Sequence, residues 1–450
     1  MYIWTNPSSN VSLLSLTCHG VTKHFNRLSI ILKCETFDDQ HTGDIIANKF
    51  ESMLAEWNIS KNQVHCMIRD EELNMKRAMA LSGFNDIDCT AHKLQFVITA
   101  GLQSQQIIID IKQKLNKIAN HFNHSTIAQK QLNKIQERLN QPQLTVFQDC
   151  ITRWNSTFYM FERFIKIKDA LSLYINDSEI IPILPEEWKI IERCVELLKP
   201  FEQATQELSS SQALISSVIP ILHMLLKKLD EQLNKIDNTD LMLIVITTIK
   251  NEVAARLSAL ENNFTFTLST YLDPRYKYKF FKSILQEKIE AEVLKLVTGM
   301  SANINSSNPP KKLKITPSTE EVHDQQPSTS IACRSTLQSD LAMMLDSSSE
   351  DESLLTPYSS YDMILKSHLK SYCSEKRIHA TESPLSWWNI NSTKYECISA
   401  LVRRFLSPPP ASVPSEQLFS NAGLIYEPLR NRLKAEKASK LLFLKYNLPL

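Results

Sequence analysis

The chain has 450 residues, 43% of them hydrophobic, which is enough for two or three domains that each bury a core. Its 50 lysines and arginines nearly balance its 49 aspartates and glutamates, which excludes a global basic field that would attract nucleic acid. The nine cysteines form no C-x-x-C pair, and the sequence shows neither a signal peptide nor an apolar run of bilayer length. These features predict an intracellular chain with reduced thiols and no membrane partner.

The first 70 residues alternate between strand and helix patterns. Two β-rich runs, at 11–19 and 27–34, flank a short polar loop and predict a hairpin. Apolar residues at helical spacing predict a helix over 43–57, and residues 64–68 predict a strand that ends at Asp70. This order predicts an α/β sheet.

The middle of the chain changes character twice. After a short strand predicted at 144–149, apolar residues at i, i+3 and i+4 predict an almost wholly helical block over 165–295. Near its end, Asp273 directly precedes a proline, which predicts a turn. Residues 299–355 are rich in Ser, Pro and charge, which predicts a disordered linker, and its cluster PPKKLK at 309–314 suits nuclear import.

The C-terminal stretch predicts helix, break, helix, loop and helix. The three prolines at 408–410 end one helix, because proline lacks an N–H and forces its predecessor into an extended conformation. Glu416 then lies in the first turn of the next helix, where the helix dipole favours a carboxylate. The run LLFLKYN at 441–447 is apolar on more than one side, so it is buried either against its own sheet or against a second chain.

This stretch resembles the C-terminal dimerisation region of hAT-type transposases and of the BED zinc finger proteins related to them. The resemblance lies in the tryptophan pair, in FLSPPPASVPSEQLFS, in RNRL and in LLFLKYN, with order and spacing kept. It implies a homodimer whose interface contains Trp387, Trp388, Phe405, Leu406, Phe419, Leu441, Leu442 and Phe443.

The resemblance also implies a fold of the α/β class: an RNase H-like domain interrupted by a large all-helical insertion and completed by the helical C-terminal dimerisation segment. The implied boundaries are 1–160 for the first, N-terminally truncated part of the core, 161–298 for the insertion, 299–355 for the linker and 356–450 for the dimerisation region. The first strand should lie beside the strand that ends at Asp70, and the Glu416 helix should pack at the same edge.

The implied catalytic residues are incomplete in this sequence. The family cleaves DNA with two divalent ions held by three carboxylates, and Asp70, in IRDEELNM, and Glu416 match the second and third. MYIWTN places Tyr2 where the first aspartate stands in the family. Tyrosine is neutral near pH 7 and a poor Mg²⁺ ligand. We therefore expect that the chain is not an enzyme and binds no cofactor. Mg²⁺ would be its cofactor only if activity were retained.

Two further motifs match the family. Cys89 and His92 form a C-x-x-H pair, which on its own predicts ordinary packing, because two ligands cannot fill a tetrahedral metal site. The resemblance places His92 beside the active site and predicts no metal ligand. Arg153 and Trp154 begin RWNST, in which the family tryptophan stacks on a flipped base, and the alternative is a core tryptophan at a helix start.

The resemblance implies a catalytically inactive, domesticated or decayed transposase-like protein that dimerises. We expect it in the nucleus, with the cytosol as the alternative, with DNA as a further partner and no small-molecule substrate. The BED-type zinc finger common in relatives is not found in this sequence. The competing hypotheses are an active transposase or nuclease and a protein-interaction scaffold with no nucleic-acid role.

Overall fold

The computed structural model describes residues 2–5, 12–150, 153–176, 180–237, 240–305, 360–418 and 435–448. The strands are β1 Tyr2–Thr5, β2 Ser12–Val21, β3 Arg27–Thr36, β4 Met67–Arg69 and β5 Asp86–Asp88. The helices up to residue 176 are α1 Gly43–Glu56, α2 Leu73–Ser82, α3 Thr90–Gln103, α4 Gln106–His124, α5 Thr126–Arg138, α6 Trp154–Lys166 and α7 Lys168–Asn176. They are followed by α8 Pro185–Ser209, α9 Val218–Leu233, α10 Leu241–Glu261, α11 Phe264–Tyr271, α12 Ser283–Asn305, α13 Ser360–Ser374, α14 Pro384–Asn391, α15 Glu396–Phe405, α16 at 413–418 and α17 Ala435–Asn447.

The strands form two small sheets. Strands β1, β2 and β3 pair antiparallel in that order, with Tyr2 opposite Ser15. The pairing of β2 with β3 confirms the predicted hairpin. Strands β4 and β5 pair in parallel. Within the described ranges no ladder joins β1 to β4, so a continuous RNase H-like sheet is not seen, and the expectation that β1 lies beside β4 stays a prediction. With three residues each, β4 and β5 offer few backbone groups for a further ladder.

Two hydrophobic cores lie beneath these elements. The smaller core packs α1 and α2 against β2 and β3 through side chains such as Leu14, Phe50 and Met79. The larger core runs through the helices from α3 to α15. Helices α3 and α10 approach so closely that a Cβ at Gly101 would lie 2.2 Å from Ile249 Cγ1, and glycine permits this approach. Helices on both sides of residue 160 therefore share one core.

The strand predicted at 144–149 is wrong, because this segment is irregular. The Gln136 side chain forms two hydrogen bonds with the backbone of Leu144, at the start of this segment. Its Oε1 accepts from the Leu144 N–H at 3.0 Å, and its Nε2 donates to the Leu144 carbonyl at 3.1 Å. The backbone polar groups of Leu144 are thus paired without a neighbouring strand.

The predicted linker overlaps the described residues only at its start, where 299–305 belong to α12 rather than to a disordered segment. Its remainder, including PPKKLK at 309–314, lies outside the described residues, as does Phe419. None of the helices in the described ranges combines the length and apolar character that crossing a bilayer requires.

Four side chains assigned to an interface between chains are buried within their own chain. Trp388 is fully buried, and its Nε1 donates to the Leu272 carbonyl at 2.9 Å. Phe405 and Leu406 belong to the larger core, and Leu442 is buried where α17 packs against β3. The interface assignment is corrected at these positions, because one chain already supplies their covering surface.

The other assigned side chains remain partly or largely accessible. Trp387 is half-buried and stacks on Tyr395, with ring centroids 6.1 Å apart. Phe443 is half-buried beside Trp57, and Leu441 is 49% exposed. Leu441 therefore lies on the solvent-exposed face of α17, which we call its outward face.

Candidate functional site

Three chain segments meet at one place, which we call the Asp70 corner and define by Asp70, Cys89, His92 and Glu416. Asp70 directly follows β4, Cys89 is the N-cap of α3, His92 lies in the first turn of α3, and Glu416 lies in α16. Sequence order separates these segments widely. The structure brings all the candidate catalytic residues except Tyr2 to this corner, and it describes Tyr2 only by its backbone, in β1.

Backbone contacts fix the corner. The Cys89 N–H donates to the Arg69 carbonyl at 2.8 Å, which continues the pairing of β4 with β5. The Thr90 N–H donates to the Pro410 carbonyl at 3.1 Å, and the Ser412 N–H donates to Cys89 Sγ at 3.3 Å. The prolines that end α15 therefore lie directly against the start of α3, and α16 begins beside the Cys89 thiol.

The donor atoms of Cys89, His92 and Glu416 lie within 4.8 Å of one another. His92 Nδ1 is 4.0 Å from Glu416 Oε1, and Ser412 Oγ donates to the same oxygen at 2.8 Å. Cys89 is fully buried, whereas the His92 and Glu416 side chains are 30% and 19% exposed. His92 Nδ1 is itself buried, and no described residue forms a hydrogen bond with it.

Electrostatic interactions link these groups. The Cys89 thiol, followed by the Glu416 and Asp70 carboxylates, raises the pKa of His92 to about 9. Burial raises the pKa of Asp70, while the Glu72 N–H and His92 oppose that shift. Burial also opposes ionisation of Cys89, but hydrogen bonding with His92 outweighs it and lowers the pKa of this thiol. Near neutral pH, His92 is therefore an imidazolium facing two carboxylates.

The neighbouring charges are already paired. The Arg69 guanidinium donates to Asp86 at 2.7 Å and to Asp88 at 2.5 Å, and its Nη1 also donates to the Asp70 carbonyl at 2.8 Å. Lys93 forms an ion pair with Asp88 at 2.6 Å. These contacts hold the ends of β4 and β5 in place and so fix the backbone that carries Asp70.

The residues at the corner do not fit a two-Mg²⁺ centre. Magnesium prefers an octahedral shell of oxygen atoms, and the two-ion mechanism that the resemblance implies uses three carboxylates. Among the described side chains, the four that define the corner supply two carboxylates, one thiol and one imidazole, and the exposed Glu72 carboxylate interacts electrostatically with Asp70 and His92. Sulfur and nitrogen donors suit a softer ion.

The RWNST motif lies elsewhere and is built around an aspartate. Arg153 is exposed and is the N-cap of α6, whereas the Trp154 indole is 4% exposed and lies in the larger core. The base-stacking role assigned to Trp154 is corrected to that of a core tryptophan at a helix start, because its ring faces are covered. Ser156 and Thr157 each donate to Asp149 Oδ1 at 2.7 Å, contacts that sequence reasoning missed.

Sequence reasoning also missed Ser412 and the meeting of Cys89 with Glu416. Ser412 lies 323 residues from the thiol that it contacts, so no local pattern could predict that contact. The C-x-x-H spacing predicted ordinary packing, and only tertiary structure brings Glu416 beside Cys89 and His92.

Comparisons with known proteins agree with this architecture. Residues 368–448 match the hAT family C-terminal dimerisation region, and residues 87–197 match the ZBED1 RNase-like helical domain. The chain is 26% identical to the human protein named Zinc finger BED domain-containing protein 4, over all of this chain and 37% of that protein. It is 25% identical to human Zinc finger BED domain-containing protein 6, over 85% of this chain and 40% of that protein.

A plant relative completes the comparison. The chain is 24% identical to the maize Putative AC transposase, over 98% of this chain and 55% of that protein. The chain thus spans between 37% and 55% of the length of these relatives. The chain is therefore similar to BED-type zinc finger proteins and to AC transposases, and its residues 368–448 match the hAT C-terminal dimerisation region.

Proposed function

We propose that this hAT transposase-derived chain does not cleave DNA and that it acts by association of two copies in the nucleus. The proposal rests on the composition of the Asp70 corner. Asp70 and Glu416 face the same imidazolium, and the sequence has Tyr2 where the resemblance implies the first aspartate. A two-ion cleavage mechanism needs one ion to activate the attacking oxygen and another to stabilise the leaving oxygen.

The charges at the corner support catalytic silence. Each Mg²⁺ would have to displace the positive charge of His92 while gaining few oxygen ligands from the protein. The His92 imidazolium compensates the two carboxylates without any metal. Asp70 and Glu416 then serve to hold β4, α3 and α16 together.

A cleavage assay tests this proposal. The purified chain, incubated with supercoiled plasmid and either Mg²⁺ or Mn²⁺, should produce no nicked or linear DNA above a protein-free control. Asp70→Asn and Asp44→Asn serve as a matched pair, since Asp44 is an exposed aspartate on α1. Mn²⁺-dependent nicking that Asp70→Asn abolishes and Asp44→Asn leaves unchanged would overturn catalytic silence.

The association of two copies has separate support. The chain carries a hAT dimerisation region at 368–448, and α17 within it exposes Leu441 and Leu444, at 49% and 47%. The maize relative is named a transposase, an activity exerted on DNA, which supports a nuclear location and DNA as a further partner.

A further inference from the structure

We propose that Cys89, His92 and Glu416 bind a single transition-metal ion of the Zn²⁺ class and leave a fourth position open. This site goes beyond the proposed function, which needs no metal. It also differs from a site for Mg²⁺, because sulfur and nitrogen supply two of its three donors.

The local sequence explains how two of the ligands come together. Cys89 caps α3 and His92 follows three residues later, and side chains at i and i+3 lie on the same side of a helical turn. The sulfur is fully buried at the helix start, where the N–H groups of the first turn favour a thiolate.

The third ligand comes from α16 and is oriented by one residue. Ser412 donates its N–H to Cys89 Sγ at 3.3 Å and its hydroxyl to Glu416 Oε1 at 2.8 Å. Outer contacts of this kind hold the ligands of known metal sites in position. Ser412 therefore orients two of the three donors at once.

The distances suit a tetrahedral ion after a small closure. Zn–S and Zn–N bonds of about 2.0–2.3 Å place tetrahedral ligand atoms about 3.3–3.8 Å apart. The three donor atoms here lie within 4.8 Å of one another, and His92 Nδ1 lies 4.0 Å from Glu416 Oε1. Side-chain rotations that close the donors by about 1 Å would complete the site.

Two further observations favour a metal. Among the residues that the structure describes, none hydrogen-bonds to the buried His92 Nδ1, and an ion would bind this nitrogen in place of its imidazolium proton. A thiolate and a carboxylate also balance the two positive charges of the ion, so the complex gains no net charge in a largely buried corner.

Cobalt provides the test, because Co²⁺ in a zinc-type site is coloured. The full chain, freed of metal with a chelator, is titrated with Co²⁺ and followed by absorption. We expect sulfur-to-cobalt charge-transfer bands in the near ultraviolet and tetrahedral ligand-field bands in the visible, which saturate at one equivalent and are bleached by Zn²⁺.

Variants assign the ligands. Cys89→Ser should abolish the charge-transfer bands, Glu416→Gln should weaken Co²⁺ binding at least tenfold, and Cys150→Ser, at an exposed cysteine, should change neither. If circular dichroism shows Cys89→Ser unfolded, Glu416→Gln decides. Absence of the bands in the wild-type chain, their survival in Cys89→Ser, or undiminished binding by Glu416→Gln would each overturn the site. DNA cleavage is measured separately, so the two proposals can fail independently.

Discussion

At the scale of single residues, His65 connects the approach to β4 with the C-terminal region. Arg404 Nε donates to its Nδ1 at 2.9 Å, and its ring meets Phe405 edge-on, with centroids 4.6 Å apart. Burial, and then the charge of Arg404, lowers the pKa of His65 to about 4. The folded protein therefore holds this imidazole neutral well below the pKa of about 6.5 that histidine has in unfolded chains.

The sign of the pH effect follows from that difference. As the pH falls below about 6.5, the unfolded chain takes up a proton at His65 that the folded chain refuses until about pH 4, so stability is lost through this window. His65→Asn should reduce the loss of unfolding free energy between pH 7 and pH 5 by about 2 kcal/mol. Urea unfolding at both pH values measures it. His24→Asn, at an exposed histidine, is the control, and equal pH dependence of all three proteins would contradict the prediction.

At the scale of elements, α17 has an inward and an outward face. Leu442 is fully buried against the chain's own sheet, whereas Leu441 and Leu444 are exposed. The sequence left two alternatives for this helix, burial against its own chain and burial against a second chain. Leu442 fits the first alternative, and Leu441 and Leu444 are available for the second.

We therefore expect the outward face to control association. Leu441→Asp combined with Leu444→Asp should give a folded monomer by light scattering, because burying each leucine at an interface contributes about 1.5–3 kcal/mol. Leu442→Ala should instead lower the unfolding free energy by about 2–5 kcal/mol. Leu73→Asp, on the exposed surface of α2, should leave the dimer intact. A wild-type chain that is monomeric at micromolar concentration, or a double variant that still dimerises, would contradict this assignment.

Local sequence patterns predicted where helices begin and end better than they predicted which segments pack against each other. Helical spacing over 43–57 predicted α1, and the prolines at 408–410 predicted the end of α15, because both signals act within a few residues. Periodicity could not show that Trp388 is covered by its own chain, or that the Gln136 side chain would form hydrogen bonds with the backbone of Leu144. Those outcomes depend on contacts between distant segments.

At the scale of the whole molecule, residues 272–277, with the sequence LDPRYK, join the helical middle of the chain to its C-terminal region. Asp273 is completely buried and accepts two hydrogen bonds from the Arg275 guanidinium, at 3.0 and 2.7 Å, one from the Arg275 N–H at 3.0 Å, and one from Ser216 at 2.6 Å. Lys277 donates to the Tyr372 carbonyl at 2.6 Å. The turn predicted from sequence is therefore the centre of a buried ionic junction.

Breaking this junction should destabilise the molecule strongly. Asp273→Asn removes the carboxylate in direct contact with the buried Arg275 guanidinium, and breaking a buried ion pair in this way costs about 3–5 kcal/mol. Thermal unfolding followed by circular dichroism should show a clear fall in Tm. The control is Glu162→Gln, which removes an exposed ion pair with Lys166 and should cost about 0.5 kcal/mol or less. Equal shifts for the two variants would show that the buried pair has no special weight.

The contact between α17 and β3 also sets an order of assembly during synthesis. Asn447 accepts a hydrogen bond from the Ile31 N–H at 3.0 Å and donates one to the Ile31 carbonyl at 2.8 Å, across 416 residues. A ribosome adds about 5–20 residues per second, so Ile31 emerges about 20–80 seconds before its partner. During that interval the outer edge of β3 has backbone groups without this partner, and it can pair with another strand. The nascent chain is therefore exposed to misassembly at this sheet for as long as the 416 intervening residues take to be made.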